Sequence, residues 1–401
     1  MNVAVLRSLN HDAAPPADRR IARVTVYDDF AAAEPHWRAL EQPGHLSTPY
    51  QSFDFLRLWH QNIGAASGVT PCIVVGFNAA QEPLLLLPFG RRALFGAMRV
   101  VEFLGGKHAN FNMALWRSDV AAHITEAGLR DVLSHLRGQA DLTMLVNQPL
   151  AWAGQNNPFA LLPQQSSPSF GFSGALSQDF ETLLAERASA VTRRKMRKKE
   201  RTLAGFGAVT FQKAGSDAEI RHVLENFFAQ KSARMRAIGL PDVFDAEGVH
   251  RFITAAALTP TPQGGRLIEL YTLSLDGVIV ATMGGVVADG RFSAMFSSII
   301  HGRYATESPG EQLLVHIVRQ CCERRLHTFD LGIGEAQYKG LFCSNADPMF
   351  DSYWPFSPAG RAVAFGLRSA AAVKRSIKQN PALWKLIVSA RRLKGRLTGG
   401  H

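Results

Sequence analysis

The sequence predicts an α/β (α+β) protein of two similar halves, and three observations carry that prediction. Stretches of helical period alternate with short strand-like runs. The order of helices, an antiparallel run of strands, a helix and a strand occurs twice. The chain has 401 residues, 46 % hydrophobic and 19 % charged, enough for two cores. Each half is expected to hold a mixed, mostly antiparallel sheet flanked by helices, the first over residues 21–170 and the second over 171–360. Residues 1–20 are expected to be a disordered N-terminus, and residues 361–401 a basic amphipathic helical tail.

IARVTVY (21–27) alternates apolar and polar side chains as a strand does. Amphipathic stretches follow around Trp37 and over SFDFLRLWHQNI (52–63). PCIVVGF, LLLLPFGRR and MRVVEFLGG are three strand candidates joined by turn-like sequence. A helical segment (121–137) and the apolar run LTMLV (142–146) come next, and QNNPFALLPQQSSPSFGFSG reads as a linker or irregular crossover. A long helical pattern over 176–205 then leads to AVTF, a helix over 216–237 broken by GLP, and a third over 246–257. RLIELYTLSL, GVIVATMGGVVA and RFSAMFSSII are strands, the first two joined by Asp276-Gly277, a hairpin signal. A helix from Pro309 to Arg325, the strand HTFDLGI and a last strand around FDSYWPF complete the half.

The formal net charge of +11 belongs to the tail: residues 361–401 hold ten Arg or Lys and no acid, which leaves +1 over residues 1–360. Charge alone therefore gives no nucleic-acid partner for the body. The tail can lie on an anionic membrane or dock on its own domain as a helix pair. Cys72, Cys321, Cys322 and Cys343 have neither paired zinc spacing nor the density of a disulfide scaffold, which fits a reducing cytoplasm. No run approaches the roughly 20 apolar residues of a membrane span, and the opening residues lack a signal-peptide core. The expected location is cytoplasmic, with peripheral contact at the inner membrane through residues 361–401. No metal site is expected.

Three stretches carry candidate chemistry. TRRKMRKKER (192–201) has seven cations in ten positions. On a helix Arg193, Arg197 and Arg201 form one column, and Arg194 with Lys198 the next. This is either a solvated face or a wall for an anionic ligand, since the interleaved aromatics of a nucleic-acid platform are missing. In ATESPGEQLLVHIVRQ (305–320), Ser308 with Glu311 spells a capping box and Pro309 suits the first helical position. The same helix start could meet a pyrophosphate, which makes Ser308, Pro309, Gly310, Glu311 and Gln312 cofactor-binding candidates. HTFDLGIGEAQYKGLF (327–342) gathers Asp330, Glu335 and Tyr338 as acid or base candidates and Lys339 as a cation. Each also has a plain structural reading: Glu335 and Lys339 make an i,i+4 pair and Tyr338 a core residue. In LGGKHANFN, His108 and Asn110 either line a cleft between the halves or form a turn, and His316 reads as a packed histidine.

RRKMRKKERTLAGFG, FFAQKSARMRAIGLP, LDGVIVATMGGVV, SPGEQLLVHIV and FDLGIGEAQYKGLF, in this order, resemble the GNAT-fold acyltransferases of the CelD/BioF-like group, which is related to the Fem-type aminoacyltransferases. WRALEQ, TPYQSFDFLRLWH, PLLLLPF and VVEFLGGKHANFN extend the resemblance to residues 25–360. It implies tandem GNAT-like domains, the first degenerate and without acyl-donor binding. It implies transfer of an acyl group from acetyl-CoA or another acyl-CoA, or from a charged tRNA in the Fem branch, to an amine of a sugar, an envelope or exopolysaccharide precursor, or a small metabolite. The alternative class is a non-catalytic pair that binds an anionic nucleotide-sugar or lipid-linked ligand.

Overall fold

The computed structural model describes residues 19–300, 302, 304–334 and 340–379. It is an α/β chain in which the two halves each build on a meander, and the second half lends its last strand to a sheet of the first. Most of the expected N-terminal tail, the end of the basic tail and residues 335–339 lie outside the described residues.

In the first half the chain splits between two sheets at Pro88. Pro83–Leu87 belongs to a five-stranded sheet, and Phe89–Leu94 to a six-stranded one. Proline lacks the N–H that a continuous central strand would need, so the ladder changes partners there. The second half keeps its counterpart whole: Val278–Ala288 runs eleven residues between Glu269–Leu275 and Arg291–Ile299. The hairpin before it turns at Asp276 and Gly277, with φ of 46° and 81°, as the Asp-Gly pair predicts.

The last strand departs from the sequence expectation. Met349–Pro355 does not complete the second half; it pairs antiparallel with Leu142–Pro149 of the first-half sheet. Gly171–Ala175, at the end of the stretch expected to be a linker or irregular crossover, is instead a strand of the second sheet between Thr328–Ile333 and Asn345–Asp347. Strand pairing is set by long-range burial, which local periodicity does not reveal.

A second departure concerns the pattern over 176–205. It is two helices, Phe180–Arg187 and Ala190–Ala204, because Ala188 is extended and Ser189 caps the second helix by accepting the Thr192 amide at 3.2 Å. The pair packs beside Pro309–Glu323 over the core around Leu203, Leu314, Ile317 and Phe329. On the other sheet face, Asp217–Ile238 and Glu247–Leu258 share one core with the first half. Phe55 meets Phe252 edge-on at 5.2 Å across that seam.

Candidate active site

Arg291–Ile299 and Thr328–Ile333 lie side by side and parallel, but pair only at Arg291↔Thr328, Phe292↔Phe329 and Ser293↔Asp330. Beyond that point they part. On the other side of the first strand, Gly284 pairs with Phe296 and Gly285 with Ala294, so Met295 is an extra residue with no ladder partner on either side. Such a bulge bends and twists its strand, which helps the two strands diverge. The opening is a cleft of about 250 Å³ lined by Met295, Ser297, Leu331 and Ile333, with Lys231 and Phe244 from the helical layer and Asn110 from the first half.

Asp330 sits at the base of this fork. It is fully buried; Oδ2 accepts from Arg291 Nε at 2.6 Å and from Ser293 Oγ, and Oδ1 accepts the Gly332 amide at 3.0 Å. The Arg291 guanidinium lies 3.9 Å from the centre of the Trp152 ring. Burial pushes the Asp330 pKa up, against the opposing pull of Arg291 and Ser293. Asp330, an acid or base candidate in the sequence, thus sits at the base of the fork with both oxygens held in a clasp of Arg291, Ser293 and the Gly332 amide.

Asn110 lies at the fork, with Nδ2 donating to Ala294 O and Tyr50 Oη, each at 3.1 Å. Gly332 makes room for it, having φ of +67° and space that a Cβ would close to 2.5 Å from Asn110 Nδ2. His108 does not line the fork. Its Nδ1 accepts from Trp59 Nε1 at 3.1 Å and its ring meets Phe252, at the seam between the halves. Burial, helped by Lys107, pushes its pKa down to about 4, so it is neutral near pH 7.

The helix start at Ser308 also differs from expectation. Ser308 is left-handed, with φ of 51°, and makes no capping box. Its Oγ accepts from Lys199 Nζ at 2.6 Å, while Glu311 pairs with the same ammonium at 3.1 Å. A Cβ on Gly310 would stand 2.6 Å from Ile299 Cδ1, so this glycine lets the helix seat on the strand end. Pro309 is the first helical residue, as predicted. Gln312 Nε2 donates to Glu307 O at 2.9 Å, and its Oε1 is buried without a partner. The sequence does contain a formed capping box, at Ser216 and Glu219 before Asp217–Ile238, where both reciprocal bonds are present.

The basic helix Ala190–Ala204 splits the arginines into two groups. Arg193 and Arg197 line a groove of about 840 Å³ between this helix, Phe180–Arg187 and Pro309–Glu323. Its floor is apolar, with Phe180, Leu184, Met196, Phe211 and Leu314, and His316 stacks on Phe211 at 3.9 Å. Lys199 and Arg319 are engaged there by Glu311 and Glu181. Arg193 Nε is buried with no hydrogen-bond partner. Arg194, Lys198 and Arg201 are exposed and do not line the groove. Glu335, Tyr338 and Lys339 lie outside the described residues. Lys231 was missed in the sequence; its only signal was a lone cation in the run NFFAQKSA.

Among the described residues no group of three or more His, Cys, Asp or Glu side chains is arranged to hold a metal ion. Among them, too, no helix is long and apolar enough to cross a membrane.

Residues 190–340 match the family described as Acetyltransferase (GNAT) domain. A search of curated proteins returns no match. Among solved structures, the chain is similar to FemX with a TM-score of 0.55 and 8 % identity, over 85 % of this chain and 99 % of that one. A conserved protein from Bacteroides thetaiotaomicron VPI-5482 gives 0.50 and 11 %, over 82 % and 99 %. The C-terminal domain of an Agrobacterium fabrum protein assigned as a lysylphosphatidylglycerol synthetase also gives 0.50 and 11 %, over 84 % and 95 %. At these identities the likeness is one of fold. The forked sheet of the second half thus lies largely within the residues that match this acetyltransferase (GNAT) domain.

Proposed function

We propose that the chain is an N-acyltransferase that moves an acyl group from a coenzyme A thioester to an amine, with the second-half fork as the reaction centre. The observation that carries this reading is the parting of Arg291–Ile299 from Thr328–Ile333 after three ladder pairs, with the unpaired Met295 at the split. A thioester carbonyl at the split beside Met295 would lie against backbone N–H groups of the diverging strand, and such donors favour the developing oxyanion. The amine nitrogen bonds to the carbonyl carbon, the carbon–sulfur bond breaks, and the proton lost by nitrogen balances the one gained by the thiolate. Holding both partners in one narrow cleft supplies much of the rate. Glu335 and Tyr338 remain proton-transfer candidates on sequence grounds, with Lys339 as an anion contact.

The donor's phosphates are assigned to Arg193 and Arg197, whose guanidinium groups face the apolar groove without an ion pair among the described residues. Calorimetric titration with acetyl-CoA tests this. Arg197→Glu should weaken binding tenfold or more with an unchanged denaturation midpoint; equal affinity in the two proteins would remove the groove from the donor site. Acceptors of the sugar, envelope-precursor or small-metabolite class fit the cleft beyond the fork. Peripheral membrane contact through residues 361–401 is supported by Phe365 and Val373, which are 75 % and 60 % exposed on Pro358–Gln379.

A second reading, aminoacyl transfer from a charged tRNA, is favoured by the outward cations Arg194, Lys198 and Arg201 together with the Fem-type resemblance. It predicts tRNA binding that weakens steeply with salt, and Arg194→Glu with Lys198→Glu should abolish it.

A further inference from the structure

Lys231 is the one charged side chain on the described wall of the fork cleft. Its Nζ donates to Ser297 O at 3.1 Å and stands 5.3 Å from the centre of the Phe244 ring. Among the described residues no carboxylate reaches ion-pair distance. The nearby acid is already spent: Asp242 accepts from Ser232 Oγ at 2.6 Å and from the Phe244 amide at 2.9 Å. The rest of the cleft wall is apolar apart from Asn110 and Ser297.

An ammonium held in such surroundings is poorly solvated, and proteins rarely keep a buried charge without a partner. Burial lowers the Lys231 pKa, and Arg234 one turn further along the helix lowers it again, while Asp242 offsets part of this. A ligand anion beside Nζ would restore the protonated form and relieve that penalty. The cleft's volume of about 250 Å³ admits a group the size of an amino acid or one sugar ring.

We infer that Lys231 is a specificity-determining residue, and that the acceptor is a small amine carrying its own carboxylate or phosphate, which Lys231 holds while the amine faces the split at Met295. This rests on the acyltransferase reading above for the position of the amine, but the anion subsite can be measured without turnover. Lys231 is a binding group here and takes no part in proton transfer.

The test uses the full chain with acetyl-CoA and two acceptors, glucosamine and glucosamine 6-phosphate. Wild type should favour the phosphorylated acceptor at least tenfold in kcat/KM. Lys231→Met should lower that ratio tenfold or more, mainly through KM, and Lys231→Arg should recover most of it because charge without easily lost protons suffices. A kcat loss of equal size for both acceptors, with no recovery by arginine, would assign Lys231 to proton transfer and overturn the inference. Should neither acceptor turn over, calorimetric titration with glucosamine 6-phosphate decides. Binding that disappears in Lys231→Met supports the subsite and leaves the acyltransferase reading to fail alone; no binding to wild type sinks the subsite.

Discussion

The two halves carry the same fork and treat it differently. In the first, Met98–Phe103 and Leu142–Pro149 run parallel over three pairs, Val100↔Leu142 to Glu102↔Met144, and then part. In the second, Arg291–Ile299 and Thr328–Ile333 do the same. The first gap is closed by the chain itself: Asn112 donates its N–H to Asn147 O and its Nδ2 to Val146 O, each at 3.0 Å, with Phe111 and Met113 buried on either side. Among the described residues no segment fills the second gap in this way, and Asn110, two residues earlier on the same segment, lines its wall and donates to Ala294 O. A splayed sheet is thus not a site in itself. In the first half the segment that follows the fork fills the gap, and that is the difference between the two.

The forks also differ in the clasp at their base, and this predicts the largest effect. Arg291 and Asp330 are 14 % and 0 % exposed, so Asp330→Asn strands a buried guanidinium; we expect a loss of about 3–5 kcal/mol in chemical denaturation. A loss below about 1 kcal/mol would mean that the clasp is not what holds the fork.

Next in size is a pH effect at the seam joining the halves. The unfolded chain protonates His108 near the ordinary histidine pKa of about 6.5, whereas the folded chain does so near 4. Stability that is present above the higher value is therefore lost as pH falls across this window, by roughly 3 kcal/mol. In His108→Gln the fall between pH 7 and pH 4 should be smaller by about that amount; parallel curves for the two proteins would contradict the burial argument.

Closing the open fork would make the halves alike. Ile333→Trp places a large ring in the cleft and should cut acyl transfer by roughly a hundredfold through lost positioning, with a small change in denaturation midpoint. Retained turnover would move the reaction centre elsewhere.

How far the sequence reached follows from how local each signal is. Asp276-Gly277 fixed its hairpin and Pro309 its helix start because each acts on its own neighbours. The break at Ser189, which opens the groove beside Arg193 and Arg197, was hidden because helical periodicity continues through a cap. The pairing of Met349–Pro355 with the first-half sheet and the capture of Asp330 by Arg291 depend on residues far away in the chain, and no window contains both partners. Lys231 escaped for the same reason: the Ser297 carbonyl and the Phe244 ring beside it come from other segments of the chain.

The smallest effect is expected at the first fork's own clasp, and it sharpens the comparison most cleanly because the residue types are the same. Asp141 accepts the Arg99 amide at 2.9 Å and lies 3.5 Å from its guanidinium, but Arg99 is 47 % exposed and Asp141 22 %. Water and salt screen such a pair, so Asp141→Asn, which keeps an acceptor for the amide, should cost no more than about 1 kcal/mol. That cost should shrink in 1 M salt, where the Debye length is roughly 3 Å, while the loss in Asp330→Asn should persist because its pair is shielded from solvent. If the two variants instead lose equal stability, burial is not what separates the forks, and the open cleft would need another cause.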